Sequence, residues 1–180
     1  MSPTELPTRG LTMDPERKKA LSRLATLIQE SGRIQFRPTF RVAAQLSAAV
    51  GHREPVFVAS SLEQIEEQSS VCRGSVTVFT SDLVARLQSD RLPADGWGRS
   101  DDPGELSIVL VPRTAIRRIA AVRPEGEFSD FDDDPGELAW SSVIQVAYEG
   151  LGEVEIRRGG HRGDVDAFYG TLLRDLAARS

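Results

Sequence analysis

The spacing of the apolar residues changes near residue 71, and this change constrains the fold more than any other feature of the sequence. Before it, apolar residues recur every three to four positions, which is typical of amphipathic helices. After it, apolar and polar residues alternate with a period of two, which is typical of strands. Helical spacing returns only near residue 165. The sequence therefore predicts an α+β domain, with N-terminal helices and one C-terminal amphipathic helix against an antiparallel sheet.

Two helices and a short strand are predicted in the N-terminal part. Residues 14–16 supply a capping aspartate, a proline at the first helical position and a glutamate in the first turn, so a helix is expected over 15–31. Thr39 can cap a second helix that ends at Gly51. Residues 54–59 are a strand candidate. Ser60 and Glu63 then have capping-box spacing, which predicts a short helix through about residue 68.

The strand-rich part is predicted to begin with a hairpin over 76–87, whose turn is Ser81-Asp82. Strands are also expected at 106–111, 143–148 and 154–157, with a strand or bend at 116–122. The last element is an amphipathic helix capped by Asp164, with acids at its start and arginines near its end. The predicted organisation is a tail at 1–13, a helical segment with one strand at 14–70, and a β domain with its helix at 71–180, together forming one compact unit.

Three segments carry a resemblance to a known family. Residues 74–84, with a glycine and alternating apolar residues before a turn and a leucine, resemble the hairpin of bacterial pleckstrin-homology-like (PH-like) and GRAM-type domains. Residues 111–119 resemble the strand, proline bend and isoleucine that follow it, and residues 166–176 resemble the capping helix. The resemblance covers about 71–178. It implies a strongly bent antiparallel sheet or sandwich and a non-catalytic binding module, since PH-like domains are generally not enzymes.

The distribution of charge bears on the class of partner. The net charge is −5, and residues 1–60 hold nine basic against five acidic residues, whereas residues 61–180 hold 13 basic against 22 acidic residues. The larger, acidic part is expected to repel nucleic acid and anionic membranes. Because the hairpin also carries Asp82 and no basic residue before Arg86, phosphoinositide binding is not expected. The preferred function is protein–protein interaction or regulatory scaffolding. A DNA-binding regulator that uses helices in 15–51, with Arg41 and Gln45 as base readers, is the alternative.

Two features are candidates for partner binding. Trp97 lies in a glycine-flanked polar loop, where it has little core to enter, and exposed aromatic residues concentrate binding energy. The segment 125–137 is acidic, and four of its residues are candidate contacts: Asp130, Asp132, Asp133 and Asp134. The acids at 130, 132 and 134 have the first spacings of a calcium loop, but proline stands at its sixth position and serine at its twelfth. A solvated acidic loop is therefore the simplest interpretation, with partner binding or weak calcium binding left open.

A basic turn before the last helix is the candidate anion site. Arg157, Arg158, His161 and Arg162 lead into the helix N-terminus, where backbone amides and the helix dipole attract anions. Asp164 and Asp166 lie in the first helical turn and compete for the same position. A tight connecting turn remains the simpler interpretation.

No catalytic or metal-binding motif is visible, so no catalytic residue, metal or cofactor is predicted. Cys72 is the only cysteine, which excludes an internal disulfide and favours a reducing compartment. The sequence offers two histidines as general bases, His52 and His161, so an enzyme of unrecognised type remains an alternative. No apolar run reaches the length of a membrane span, and residues 1–10 lack the apolar core of a signal peptide. A cytoplasmic location is expected.

Overall fold

The computed structural model describes residues 14–31, 40–65, 71–93, 106–122, 143–157 and 162–179. These residues form three α-helices, seven strands and one 3-10 turn. The elements, in chain order, are α1 (Pro15–Ser31), α2 (Phe40–Ala49), β1 (Phe57–Gln64), β2 (Val71–Phe79), β3 (Leu83–Pro93), β4 (Leu106–Pro112), the 3-10 turn (Arg113–Ala115), β5 (Ile116–Val122), β6 (Val143–Tyr148), β7 (Gly152–Arg157) and α3 (Arg162–Ala177). The predicted α+β class is confirmed.

The strands form two antiparallel sheets, each a meander in which neighbours along the chain are neighbours in space. The four-stranded sheet has the order β1-β2-β3-β4, and the three-stranded sheet has the order β5-β6-β7. β1, β4, β5 and β7 are thus the terminal strands. The predicted boundary between the helical segment (14–70) and the β domain (71–180) falls between β1 and β2. These two strands pair along the whole of β1.

The four-stranded sheet is covered on both faces, because consecutive side chains of its strands enter different cores. On β1, Val58 packs in a core with α1 and α2, whereas Ala59 packs in a core with the three-stranded sheet and α3. The first, the helix core, includes Leu24, Ile28, Leu46, Cys72, Val76, Val78 and Leu87. The second, the sheet core, includes Phe79, Val84, Ile116, Ile144, Tyr148, Ile156, Phe168 and Leu172.

The N-terminal helices form where the local signals predicted them. α1 has the predicted bounds, and Asp14 caps it by accepting a hydrogen bond from the Glu16 amide at 3.1 Å. α2 ends before Gly51, whose φ of +64° suits glycine at a helix C-terminus. Both helices bury one apolar face on the four-stranded sheet. Among the described residues, none of the three helices has the length and apolar content needed to span a bilayer.

Two local predictions were wrong. The helix expected from Ser60 is instead the second half of β1, because residues 60–64 pair with β2 along its length and the sheet bonds outweigh a capping-box signal. α3 begins at Arg162, so Asp164 lies inside the helix and is not its cap. The strand-or-bend segment 116–122 is a strand, β5. The tail at 1–13 and the loop containing Trp97 lie outside the described residues.

Candidate functional site

A groove of about 260 Å³ lies where α1, β1, β7 and α3 meet. Five consecutive residues, 56–60, line it, namely Val56 and the first four residues of β1. Because side chains alternate between the faces of a strand, five consecutive residues can line one groove only if the groove follows the edge of that strand. Ile156 and Arg157 line it from β7, the terminal strand of the other sheet. The groove therefore runs between the edges of two sheets.

The floor of this edge groove is apolar and aromatic. The rings of Phe57 and Phe168 stack with centroids 4.3 Å apart and an interplanar angle of 8°. Phe79 supports Phe168 from below in an edge-on arrangement at 4.8 Å. Val165 and Leu27 add aliphatic walls, and Val56 at the mouth is 53% exposed. The groove thus offers a preformed apolar surface to a ligand.

The described part of the edge-groove rim is polar, and its two charges are of opposite sign. Its charged members are Glu30 on α1 and Arg157 on β7, and the Arg157 guanidinium donates to Glu155 Oε2 at 3.1 Å. At the α1 end, Ser31 Oγ donates to Ser60 Oγ at 3.0 Å and links the helix to the strand. Among the described lining residues, one negative and one positive side chain therefore offset each other.

A buried ion pair holds α3 and its Phe168 in place. Arg113 is 4% exposed, and its Nε donates to Asp175 Oδ2 at 2.8 Å. Its Nη1 donates to the Thr80 carbonyl at 3.0 Å, and its guanidinium lies 5.7 Å from the Phe168 ring centroid. The 3-10 turn, the β2–β3 turn and α3 are tied together in this way. Arg113 therefore positions an aromatic wall of the edge groove from behind.

Two groups in the described part of the chain have shifted pKa values, and both are buried and unsuited to catalysis. Burial raises the pKa of the Cys72 thiol above its ordinary 9.0, so this 2%-exposed cysteine stays protonated and unreactive. Burial also raises the pKa of Tyr148, with Arg113 opposing and Asp175 adding to the shift. Tyr148 Oη has no hydrogen-bond partner within the described part of the chain. Neither group lines the edge groove.

These shifts predict alkaline destabilisation. The folded protein keeps both protons above the pH at which the unfolded chain releases them, so stability is full below about pH 9 and is lost as the pH rises further. We expect the free energy of unfolding to fall by up to about 1.4 kcal/mol per pH unit per group. Tyr148→Phe should make the free energy of unfolding fall less steeply with pH above pH 10. By removing an unpaired hydroxyl, it should also raise stability at pH 7 by about 1 kcal/mol. Urea titrations of both proteins across pH 7–11 measure the free energy of unfolding and its dependence on pH. An equal pH dependence in wild type and Tyr148→Phe would show that Tyr148 does not cause the alkaline loss of stability.

The sequence-predicted site residues have different outcomes. Arg157 is on β7 at the rim of the edge groove, and Arg162 begins α3, its side chain lying outside the described residues. Arg158 and His161, which complete the candidate anion site, also lie outside them. So do the candidate partner contacts: Trp97, Asp130, Asp132, Asp133 and Asp134. Sequence reasoning missed the edge groove, because the strand expected at 54–59 contains most of its β1 lining but no local pattern places that strand beside β7.

The alternative functions gain little from the described residues. Gln45, one of two candidate base readers on α2, is half-buried, and its amide oxygen is enclosed with no hydrogen-bond partner among the described residues, which weakens the DNA-binding interpretation. His52 Nδ1 lies 3.1 Å from Ser47 Oγ on the protein surface, whereas Cys72 lies in the helix core. No cluster of three His, Cys, Asp or Glu side chains with metal-binding geometry occurs in the ranges that the structure describes.

Comparison with known proteins gives no further guide to the site. No family model matches the chain, and no curated protein is significantly similar to it.

Proposed function

We propose that this protein is a non-catalytic binding module that holds an extended segment of a partner protein in the edge groove. The observation that carries the proposal is the course of the groove along the unpaired side of β1 and over the Phe57–Phe168 stack. A strand edge offers backbone donors and acceptors, and the apolar floor offers pockets for alternate side chains. Together they suit the addition of a peptide strand.

The arrangement of elements supports a PH-like architecture for this module. From β2 onward, six antiparallel strands are followed along the chain by one C-terminal helix, and a run of strands before one terminal helix is the order that the resemblance implies. The helix packs against the three-stranded sheet and contributes Phe168 to the sheet core. α1 and α2 are additions to that plan, and α1 forms one wall of the edge groove. The N-terminal helices therefore take part in the proposed site.

The size and polarity of the groove favour a peptide over a small charged metabolite. Its volume of about 260 Å³ is below the roughly 300–1,000 Å³ of typical small-molecule pockets, but it can take two or three apolar side chains. The described part of its rim carries one carboxylate and one guanidinium. Specificity would then come from the spacing of apolar anchors along an extended chain.

Selection of displayed peptides against the whole protein tests this function. Binding peptides are expected to share apolar residues at alternate positions, because only every second side chain of an added strand faces the floor. Affinities of wild-type protein for the selected peptides are then measured by fluorescence anisotropy and compared with those of two variants. Ala167→Trp places an indole in the groove from an exposed position of α3.

Ala177→Trp is the matched control, since Ala177 is also exposed on α3 but does not line the groove. Ala167→Trp is expected to weaken peptide binding at least about tenfold, which corresponds to about 1.4 kcal/mol, whereas Ala177→Trp leaves it unchanged. Equal binding by the two variants would place the site elsewhere. The proposal would be wrong if no selected peptide binds the folded protein more tightly than the unfolded protein.

A further inference from the structure

The outer edge of β4 is the least protected strand edge in the described part of the chain. β4 pairs with β3 on one side only, and it ends the four-stranded sheet. Its seven residues, 106–112, contain no charged side chain. Val109 and Leu110, at its centre, are each 41% exposed. An uncharged, apolar strand edge of this length is a template for pairing with another strand.

The other three terminal strands are protected in ways that β4 is not. β1 carries Glu63, β5 carries Arg117 and Arg118, and β7 carries two glutamates and Arg157. The edges of β1 and β7 face each other across the edge groove, so neither can meet the edge of a second sheet, and α3 packs along β5. Charged side chains and covering elements are the usual means of blocking edge-to-edge association. Within the described residues, β4 alone of the terminal strands has no charged side chain, and α2 packs on one face of β4 without pairing with its outer edge.

The exposure of β4 indicates what kind of partner fits it. Val109 and Leu110 are consecutive, so they point to opposite faces of the sheet, and both are exposed to the same extent. A helix or loop resting on one face would cover only one of them. A strand added at the edge would cover both, and it would have to be uncharged to match β4. Among the described terminal strands, which alone have an edge free to pair, β4 itself is the one without a charged side chain.

We propose that β4 pairs with β4 of a second copy of this chain, antiparallel and about a two-fold axis at Val109. In this arrangement Val109 faces its own counterpart, and Ile108 faces Leu110 of the second copy. Ser107 faces Val111, so no charge is opposed or buried in the pairing. The two four-stranded sheets become one sheet of eight strands. Such an interface is isologous, and it closes at the dimer.

This dimer uses the edge of the four-stranded sheet that is opposite the edge groove, so it is independent of the proposed function. A single pair of seven-residue strands buries less surface than the roughly 800 Å² per partner of a standard interface. We therefore expect a reversible monomer–dimer equilibrium that depends on concentration. Sedimentation velocity over a concentration series extending to the submillimolar range measures it.

Val109→Lys is the decisive variant, because the two-fold axis places two lysines directly opposite each other. Like charges in that position oppose strand pairing, so the dimer is expected to weaken at least about tenfold. Val122→Lys is the matched control, since Val122 is 39% exposed on β5 and lies away from the pairing. Far-UV circular dichroism of each variant shows that the strands are retained. Leu110→Glu tests the same edge by a second substitution.

A mixture of Val109→Lys and Val109→Glu chains completes the test. Neither variant should dimerise alone, whereas the mixture should form a heterodimer in which lysine faces glutamate across the axis. Three results would overturn the proposal: wild-type protein that stays monomeric throughout the series, a lysine at 109 that acts no more strongly than one at 122, or association that continues beyond dimers. Loss of dimerisation in Ala167→Trp would also overturn it, since that residue lies in the edge groove.

Discussion

Replacing Asp175 by alanine is expected to lower the free energy of unfolding by about 3–5 kcal/mol. The substitution leaves the Arg113 guanidinium buried, with the Thr80 carbonyl and the Phe168 ring as its remaining contacts. A buried charge that loses its counter-ion costs far more than the pair contributed, because its desolvation is no longer compensated. Urea denaturation followed by circular dichroism measures the loss.

Two variants separate this effect from that of an ordinary ion pair. Glu63→Ala breaks the exposed pair with Arg73, whose atoms lie 3.2 Å apart, and is expected to cost less than about 1 kcal/mol. The double variant Arg113→Met/Asp175→Leu removes both charges and should recover much of the stability that Asp175→Ala loses. If Asp175→Ala lowers the free energy of unfolding no more than Glu63→Ala does, the Arg113–Asp175 pair does not hold α3 in place.

Gly74→Ala is expected to destabilise the protein by about 3 kcal/mol or more. Gly74 has a φ of +133°, and a Cβ there would lie 1.9 Å from the Ser61 carbonyl oxygen on the neighbouring strand. β2 has an irregularity in its pairing with β3 between Cys72 and Gly74. Alanine would add a forbidden backbone conformation to a clash with main chain, and neither can be relieved by turning a side chain.

Two further glycines provide graded controls in the same denaturation experiment. Gly152 has a φ of +84° but open space around it, so Gly152→Ala carries backbone strain alone and is expected to cost about 1 kcal/mol. Gly170 lies within α3 with open space, so Gly170→Ala is expected to stabilise by about 0.5–1 kcal/mol. A Gly74 variant no less stable than the Gly152 variant would show that the strand can move aside.

The elements that sequence analysis predicted correctly are those with signals inside the element. α1 has its capping aspartate, its proline and its apolar stripe within 18 residues, and the structure matches it at both ends. The β2–β3 hairpin was predicted because alternation on either side of Ser81-Asp82 is local. These patterns specify which face of an element is apolar. They do not specify what covers that face.

The features that were missed depend on residues far apart in the chain. Residues 60–64 have a helical cap signal, and only their pairing with β2 makes them a strand. The edge groove needs β1 and β7, which are about 90 residues apart, to lie together. Arg113 and Asp175 are separated by 62 residues, and the residues next to each of them in sequence do not indicate that the two form an ion pair. Local periodicity contains no information on such contacts.

The double coverage of the four-stranded sheet bears on how its strands stay in register. In a sheet with one wet face, a slip of one residue moves apolar side chains into water, and this cost prevents the slip. Both faces of β2 are buried, so that cost is smaller here. Two fixed points remain. Thr80 closes the β2–β3 turn by accepting from the Leu83 amide at 3.0 Å, and Gly74 passes close to the Ser61 carbonyl at the other end of the strand. The alignment of β2 is therefore set near its two ends, against β3 by the Thr80 hydroxyl and against β1 by the absence of a side chain at Gly74.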